Sequence, residues 1–576
     1  MGGFFRKISR TAAAFSPFAP ARRYARLWNK GTSPQNILVI GTDVPDTLID
    51  SLLARPEYAD CRVLRNVADP HTLATARCIV TDAPLPAWLA VREAQTLILC
   101  APGGYDEFSL PTLLAADEIV TDAEEAIKLQ TRLGPIFTGR ILEKETLRPL
   151  PTSENVKRRL LIYGGSLGMN GVTTSLLYRL HSLDYTRYDV TFLSPEKPPH
   201  TIEAVLQQLP EPVRVLPPMG HFSATLFEQL LWLWLSRRGE DPNKPCFQPL
   251  NAMFRREARR RYGNAAFDAA IDYSGYGGFY PLLFLQTPAG RRMIWQHNDI
   301  HRDLTNKEKS GQRRYRHFRA GLSIVTKLYG QFDRVVSASK AVWEENQRNF
   351  ALPGREHTFV WCDNLIDAAT VREKAAKDNT FTVNGRDYYQ DTRTDVTSET
   401  SLLSAPLPER GGFHFVTVGR LSPEKNHDSL IRAFAMLVKE VDHVGLTIIG
   451  GGEQETALRS LAAGLGIADK VRFTGNLQNP FAYVKHFDAF AFVSHYEAMG
   501  LVVIEARILG LPILLSDYSA APSVMVPGGQ ILTKQDPDSI CEGMHRLMAA
   551  PQRAVAPFDE AAWRENTTRQ FEALFD

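Results

Sequence analysis

SHYEAMGLVVIEARILGLP, residues 494–512, is the stretch whose reading decides the fold. It follows a strand-like apolar run, Asp488–Val493, and sets Glu497 and Glu505 eight positions apart. Gly500 and Leu501 stand between them, where a helical pattern begins that stops at Gly510. A helix N-terminus offers unpaired N–H groups and partial positive charge to an anion, and a carboxylate nearby accepts hydrogen bonds from hydroxyls. Phosphate and sugar hydroxyls together make a nucleotide sugar. The plainer alternative is that both glutamates are solvated helix residues.

Upstream, FHFVTVGRLSPEKNHDSLIRAF reads as a strand (Phe413–Val418), a loop with Gly419, Arg420 and Lys425, and a helix from about Asp428. LTIIGGG, VRFTG and LPILLSD continue the alternation, and Ala561–Phe575 has the pattern of a terminal amphipathic helix. Short apolar runs alternating with helical stretches are the mark of a parallel sheet covered on both faces.

A second such series starts at Arg158. RRLLIYGGSLGMNGVTTSLLYRL gives a buried-type strand, a loop carrying Gly164, Gly165, Gly168, Asn170 and Gly171, and a helix from near Val172. With no Lys-Ser/Thr after it and no clean GxGxxG, the loop is neither a Walker nor a dinucleotide fingerprint. Further on, RRMIWQHNDIHRD puts His297, Asn298 and Asp299 at a strand end, where open α/β sheets bind ligands, with His301 a weaker candidate. Phe222–Leu235 is apolar but too short to span a bilayer, so it is either a core helix or an interfacial one. The arginine run 255–261 (RREARRR) is either a positive surface for lipid or phosphate, or a solvated basic helix. Lys374–Ser404 is polar and reads as an exposed insertion or linker.

A third α/β series occupies residues 36–147, and the proline-containing stretch Arg148–Val156 reads as a linker behind it. Residues 1–35 contain no acidic residue and form a basic tail with interspersed aromatics. Its open partner is an anionic membrane surface, against the alternative of a disordered terminus with none. A net charge of only +2 gives no reason to invoke nucleic acid. Six scattered cysteines without metal-ligand spacing argue for a reducing compartment and against a zinc site. Met1–Lys30 lacks the apolar core of a secretory signal, and no run is long enough to span a bilayer. The expectation is a cytoplasmic protein, held peripherally at the inner membrane face if the tail binds there.

GRLSPEKN together with EAMGLVVIE resembles the two donor-site signatures of the large family 4 (group 1) of retaining GT-B glycosyltransferases. The resemblance spans about Arg158–Phe575. It implies a GT-B fold: an acceptor-side domain at 157–373, a polar linker or insertion at 374–411, and a donor-nucleotide domain at 412–576 with a terminal helix. It also implies that Arg420 and Lys425 contact the donor diphosphate, Glu497 the sugar and Glu505 the ribose. DYSGY…WQHND resembles a branch found in bacterial surface-polymer assembly, which implies His297 beside the transferred sugar. The function implied is retaining transfer, without metal or cofactor, from a nucleotide-diphosphate sugar to a glycan, surface-polymer or lipid-linked acceptor. A nucleotide-sugar epimerase or phosphorylase, or an inactive nucleotide-sugar-binding scaffold, stays open. IVTDAPLP in the first domain faintly resembles half of a CDP-glycerol glycerophosphotransferase module, but CAPGGY stands where that module has His-Gly. The domain is therefore taken as accessory.

Overall fold

The computed structural model describes residues 36–143 and 157–576, apart from 42–43, 59–60, 67–72, 74–75, 86–88, 90, 92–94, 102–103, 135–136, 169, 197–198, 221–223, 310–314, 378, 395–399, 410, 527 and 550–556. The basic tail and the linker at 148–156 lie outside the described residues. The fold is α/β: two larger Rossmann-like domains, each built on a parallel sheet, follow a smaller α/β domain, and a three-stranded antiparallel sheet stands between the two.

The first sheet holds β1 (Asn36–Ile40), β2 (Arg62–Arg65), β3 (Ala76–Thr81), β4 (Thr96–Leu99), β5 (Glu118–Thr121) and β6 (Arg140–Glu143), all parallel, in the order β2-β1-β3-β4-β5-β6. The second holds β7 (Arg158–Tyr163), β8 (Tyr188–Leu193), β9 (Arg214–Leu216), β10 (Phe267–Asp272), β11 (Ala289–Gln296), β12 (Arg334–Ser337) and β13 (Phe359–Trp361), in the order β13-β12-β11-β10-β7-β8-β9. A three-stranded antiparallel sheet follows: β14 (Thr380–Val383), β15 (Arg386–Thr394) and β16 (Thr400–Pro406). The last sheet comprises β17 (Phe413–Val418), β18 (Val444–Ile449), β19 (Val471–Gly475), β20 (Ala489–Phe492), β21 (Ile513–Ser516) and β22 (Ile531–Thr533), ordered β19-β18-β17-β20-β21-β22. β20 and β21 are buried at every position, as strands covered on both faces must be.

The helices that matter below are α1 (Leu110–Ala115), α2 (Gly171–Ser182), α3 (Leu226–Arg238), α4 (Pro249–Tyr262), α5 (Ile300–Lys309), α6 (His427–Leu437), α7 (Leu501–Ile508) and α8 (Glu560–Glu572). In the second and last sheets the strand order reverses once, between β7 and β10 and between β17 and β20. Ligands in open α/β sheets bind outside the carboxyl ends of the strands at such a reversal. The sheets therefore nominate two facing loop pairs: those after β7 and β10, and those after β17 and β20.

Three sequence expectations need correction. The polar stretch at 374–411 is not a bare linker, because its antiparallel sheet packs on the donor domain. There Tyr389 is buried, stacks on Tyr483 at 5.2 Å and donates to the Asn479 carbonyl at 2.8 Å. The arginine run is neither a positive surface nor a solvated helix. Arg256, Arg260 and Arg261 on α4 are buried, held by Glu228 (2.6 Å), Glu257 (2.6 Å) and Glu196 (2.8 Å). Buried guanidinium groups need such partners, since an unpaired charge out of water costs several kcal/mol. Third, the terminal helix α8 leaves the donor domain and packs on the acceptor side. Phe571 and Phe575 join the core beside Tyr188, and Arg179 donates to the Thr567 carbonyl.

The accessory domain shares one apolar cluster with the acceptor domain. α1 packs along α4, and the turn after α4 closes the joint, with Asn264 N–H donating to the Leu114 carbonyl (2.9 Å) and Thr138 donating to the Asn264 carbonyl (2.9 Å).

Candidate active site

β17 and β20 are adjacent, with Phe415 and Val416 registered against Ala489 and Phe490, so the loops leaving them emerge side by side. The first loop carries Arg420 and Lys425; the second carries Glu497. Its backing is a run of glycines: Leu421 N–H donates to the Gly451 carbonyl, and a Cβ on Gly450, at φ +139°, would stand 2.0 Å from the Gly419 carbonyl oxygen. Only glycine allows that approach. At the loop tip the Arg420 guanidinium donates to Glu424 (2.6 Å), which also accepts from the Ser422 hydroxyl (2.6 Å). Burial pushes the Glu424 carboxyl up, but Ser422 and Arg420 outweigh it and hold it below its ordinary value. The Lys425 ammonium is hydrogen-bonded to Glu497, whose same oxygen accepts from Ser494 (2.8 Å). Asn426, at φ +56°, pins the two loops by donating to the Val493 (3.1 Å) and Gln535 (2.8 Å) carbonyls. Both cations of this loop are thus paired with carboxylates, Arg420 with Glu424 and Lys425 with Glu497.

α7 starts at Gly500, whose φ is +93°. No side chain caps it, so its first N–H groups have no side-chain acceptor. Tyr518 packs behind the turn, donating to the Met499 carbonyl at 2.9 Å. One turn into α7, Glu505 meets Tyr178 on α2 of the opposite domain. Its carboxyl is pushed up to about 7 by burial, partly offset by Lys374 and the Tyr178 hydroxyl.

The facing wall is assembled from the strand ends of the acceptor domain. His297 directly follows β11, is buried, and donates through Nε2 to the Tyr273 carbonyl at 2.5 Å, which leaves Nδ1 as its acceptor. Burial lowers its pKa to about 4, against the opposing pull of that carbonyl, so the ring is neutral around neutrality. The Tyr273 hydroxyl contacts Ser175 (2.7 Å), which donates to Asn364 (2.7 Å). Asn298 donates to the Tyr276 hydroxyl (2.9 Å), and Asp299 accepts from Arg302 N–H (2.9 Å) as the cap of α5. His301, the second residue of α5, is exposed. In the glycine loop, Gly165 packs against Ser274 with φ +79°, Gly168 lies in the turn, and Gly171 opens α2. Asn170 caps α2 by accepting from Val172 and Thr173 N–H, both at 3.0 Å. Asn170 and Asp299 therefore have local structural work, and at this site α7 and α6 start without a side-chain cap whereas α2 does not.

The two walls meet. Ser339, just after β12, donates to the Ala498 carbonyl (2.5 Å), one residue beyond Glu497. Arg302 lies over the Tyr496 ring at 4.7 Å, and Tyr315 donates to Glu453 (3.1 Å).

Two residues the motifs did not single out sit at this junction. Asp303 is buried beside Lys307 on the side facing Arg420; burial raises its pKa, Lys307 opposing, and its Oδ2 has no hydrogen-bond partner among the described residues. Its position four after Asp299 puts it one turn along α5, a signal available to helical spacing. His427, at the start of α6, is buried with neither ring nitrogen bonded among the described residues, and its Nε2 would lie 3.8 Å from a Cβ on Gly419.

Residues 405–567 match the family model of the glycosyl transferases group 1, a span that contains Arg420, Lys425, Glu497 and Glu505. Among curated proteins, the chain is 31% identical over 178 residues to a GDP-mannose-dependent alpha-(1-6)-phosphatidylinositol monomannoside mannosyltransferase of Mycolicibacterium smegmatis, covering 28% of this chain and 47% of that protein. It is 36% identical over 113 residues to the lipopolysaccharide core biosynthesis glycosyltransferase LpsD of Rhizobium meliloti, covering 20% of this chain and 32% of that protein. At its fullest this chain spans about half the length of these relatives (47%). Among solved structures, TarM overlaps 73% of this chain and 99% of its own, at a TM-score of 0.48 and 12% identity.

Proposed function

We propose that the protein is a retaining glycosyltransferase that moves a sugar from a nucleotide-diphosphate sugar to a glycan, surface-polymer or lipid-linked acceptor. The observation that carries this is the Lys425–Glu497 pair beside Arg420 and the uncapped start of α7, gathered at the reversal of strand order.

A departing nucleoside diphosphate gains negative charge as the bond from the sugar C1 to its phosphate oxygen breaks. Arg420, Lys425 and the α7 N–H groups are placed to receive that charge, and preorganised donors of this kind supply the largest single term in such catalysis. No metal is called on for this role. Glu497, released from Lys425, accepts from sugar hydroxyls, and Glu505 accepts from the ribose. The acceptor oxygen approaches from the Gly165–Gly171 side and bonds to C1, and its proton passes to the departing phosphate. His297, neutral and with Nδ1 free to accept, orients a sugar hydroxyl and is not the base. A lipid-linked acceptor agrees with the name of the Mycolicibacterium smegmatis relative. The accessory domain buttresses the second sheet through their shared apolar cluster.

The test is incubation with a panel of sugar nucleotides and acceptors, reading free nucleotide and the anomeric configuration of the product. Nucleotide release coupled to a product of unchanged anomeric configuration is expected. A product of inverted configuration, or no binding of any sugar nucleotide, contradicts the proposal.

A further inference from the structure

Outside the cleft, the least explained feature is α3. Its ends are fixed locally: Thr225 and Glu228 form a reciprocal capping box, and Gly239 closes the helix at φ +63°. Its inner face is locked by the buried Arg256–Glu228 ion pair and by Trp232, whose ring meets Phe254 at 5.7 Å and Phe279 at 5.8 Å. The outer face is the reverse of what a water-facing helix should show. Leu226, Phe227, Leu230, Leu233 and Trp234 are between 37% and 60% exposed, and they make up five of the eleven exposed large apolar side chains among the described residues. Their spacing follows one helical stripe, which Arg237 extends.

We propose that this stripe docks the protein on an anionic lipid surface. The charge around the helix's C-terminal end favours that occupant: Arg237 and Arg238 are exposed there, Lys327 donates to the Gly239 carbonyl, and the nearby Glu240 is already paired with Lys244. Size argues in the same direction. A helix of 13 residues is about 20 Å long and about 10 Å wide, a footprint of about 200 Å². That falls well short of the roughly 800 Å² per partner in a stable protein complex. A bilayer sets no such threshold: an apolar helix face sinks into the headgroup boundary, with cations at the phosphates and tryptophan at the polar margin. Of the arginine run on α4, which the sequence offered for this role, Arg256, Arg260 and Arg261 are consumed by buried ion pairs and Arg259 donates to the Val91 carbonyl, which leaves Arg255 exposed; the basic tail lies outside the described residues.

The experiment is flotation of the full chain, without donor or acceptor, on phosphatidylcholine vesicles with and without phosphatidylglycerol. Its readout is independent of glycosyl transfer, so it stands or falls separately from the proposed activity. The expected result is binding to the anionic vesicles, reduced more than about tenfold when Phe227, Leu230 and Leu233 are all replaced by serine, Trp234 being kept because its ring packs on the buried Phe247 at 5.2 Å. Arg237→Gln with Arg238→Gln should weaken binding and flatten its salt dependence. All replaced side chains are exposed, so melting temperatures should stay close to wild type, and a variant that melts early is replaced by Leu230→Gln alone. Vesicle binding unchanged in the serine variant, or absent in wild type, overturns the proposal. So does a wild-type dimer in light scattering that the serine variant converts to monomer.

Discussion

Burial has set two carboxyls, Asp272 at a strand end and Glu505 in α7, to titrate near neutrality. Asp272 ends β10 and accepts from Ser274 (3.0 Å) and Gly275 (3.1 Å) N–H; burial pushes its pKa up to about 7 against those two bonds. An unfolded carboxyl ionises near its model value of 3.8, so the folded state holds the proton longer. Its stabilising contribution is complete below that value and is lost as pH rises through about 7. Asp272→Asn keeps an acceptor for both N–H groups and removes the titration. Its melting temperature should therefore fall less than that of wild type between about pH 5 and about pH 8. Parallel curves would show that Asp272 is not the group responsible. Glu505 titrates in the same window, at the place proposed for the donor ribose. As an ionised carboxylate accepts hydroxyl hydrogen bonds more strongly than a protonated one, donor affinity should rise from about pH 6 to about pH 8. Glu505→Gln should remove the slope, as titration calorimetry across that range would show.

Among the elements, α7 carries the largest claim for its size. Gly500→Ala places a side chain at φ +93°, with its Cβ 2.6 Å from the Tyr518 hydroxyl. Left-handed strain alone costs about 1–2 kcal/mol, and relieving it should tilt the helix start. The expected outcome is a loss of nucleotide affinity larger than the loss of melting temperature would suggest; intact affinity would detach the helix end from the site. The parallel strands and the opening of α7 were legible because strands buried on both faces read as apolar runs and glycine marks the change to helix. The antiparallel sheet at 380–406 was hidden by composition, since one face carries its polar residues. Period-two alternation around Tyr389 and Asp391, both buried, was the available signal. The fate of RREARRR turned on Glu228 and Glu196, distant in sequence, and only Glu257 lay close enough to hint at it. Asn170 and Asp299 cap helices, and the sequence does not separate that work from ligand contact because both use the same side chains.

For the whole molecule, the account requires that the accessory domain and the acceptor domain behave as one body. Gly263, at φ +57°, closes their joint, and a Cβ there would lie 2.2 Å from Ala115 N. Gly263→Ala should lower the melting temperature and broaden the transition while leaving nucleotide affinity unchanged, because the residues at the joint belong to α1 and the turn after α4 and not to the loops after β17 and β20. An unaltered melting curve would mean the shared core does not couple the two. The claim on which everything else depends is that Arg420 and Lys425 form the diphosphate seat. It is tested most directly by titrating nucleoside diphosphates, uridine and guanosine forms first, into wild type, Arg420→Ala and Lys425→Ala by calorimetry. Loss of one charge-assisted phosphate contact, worth roughly 1.5–3 kcal/mol, predicts at least about tenfold weaker binding in each variant. Affinities equal to wild type would contradict the account.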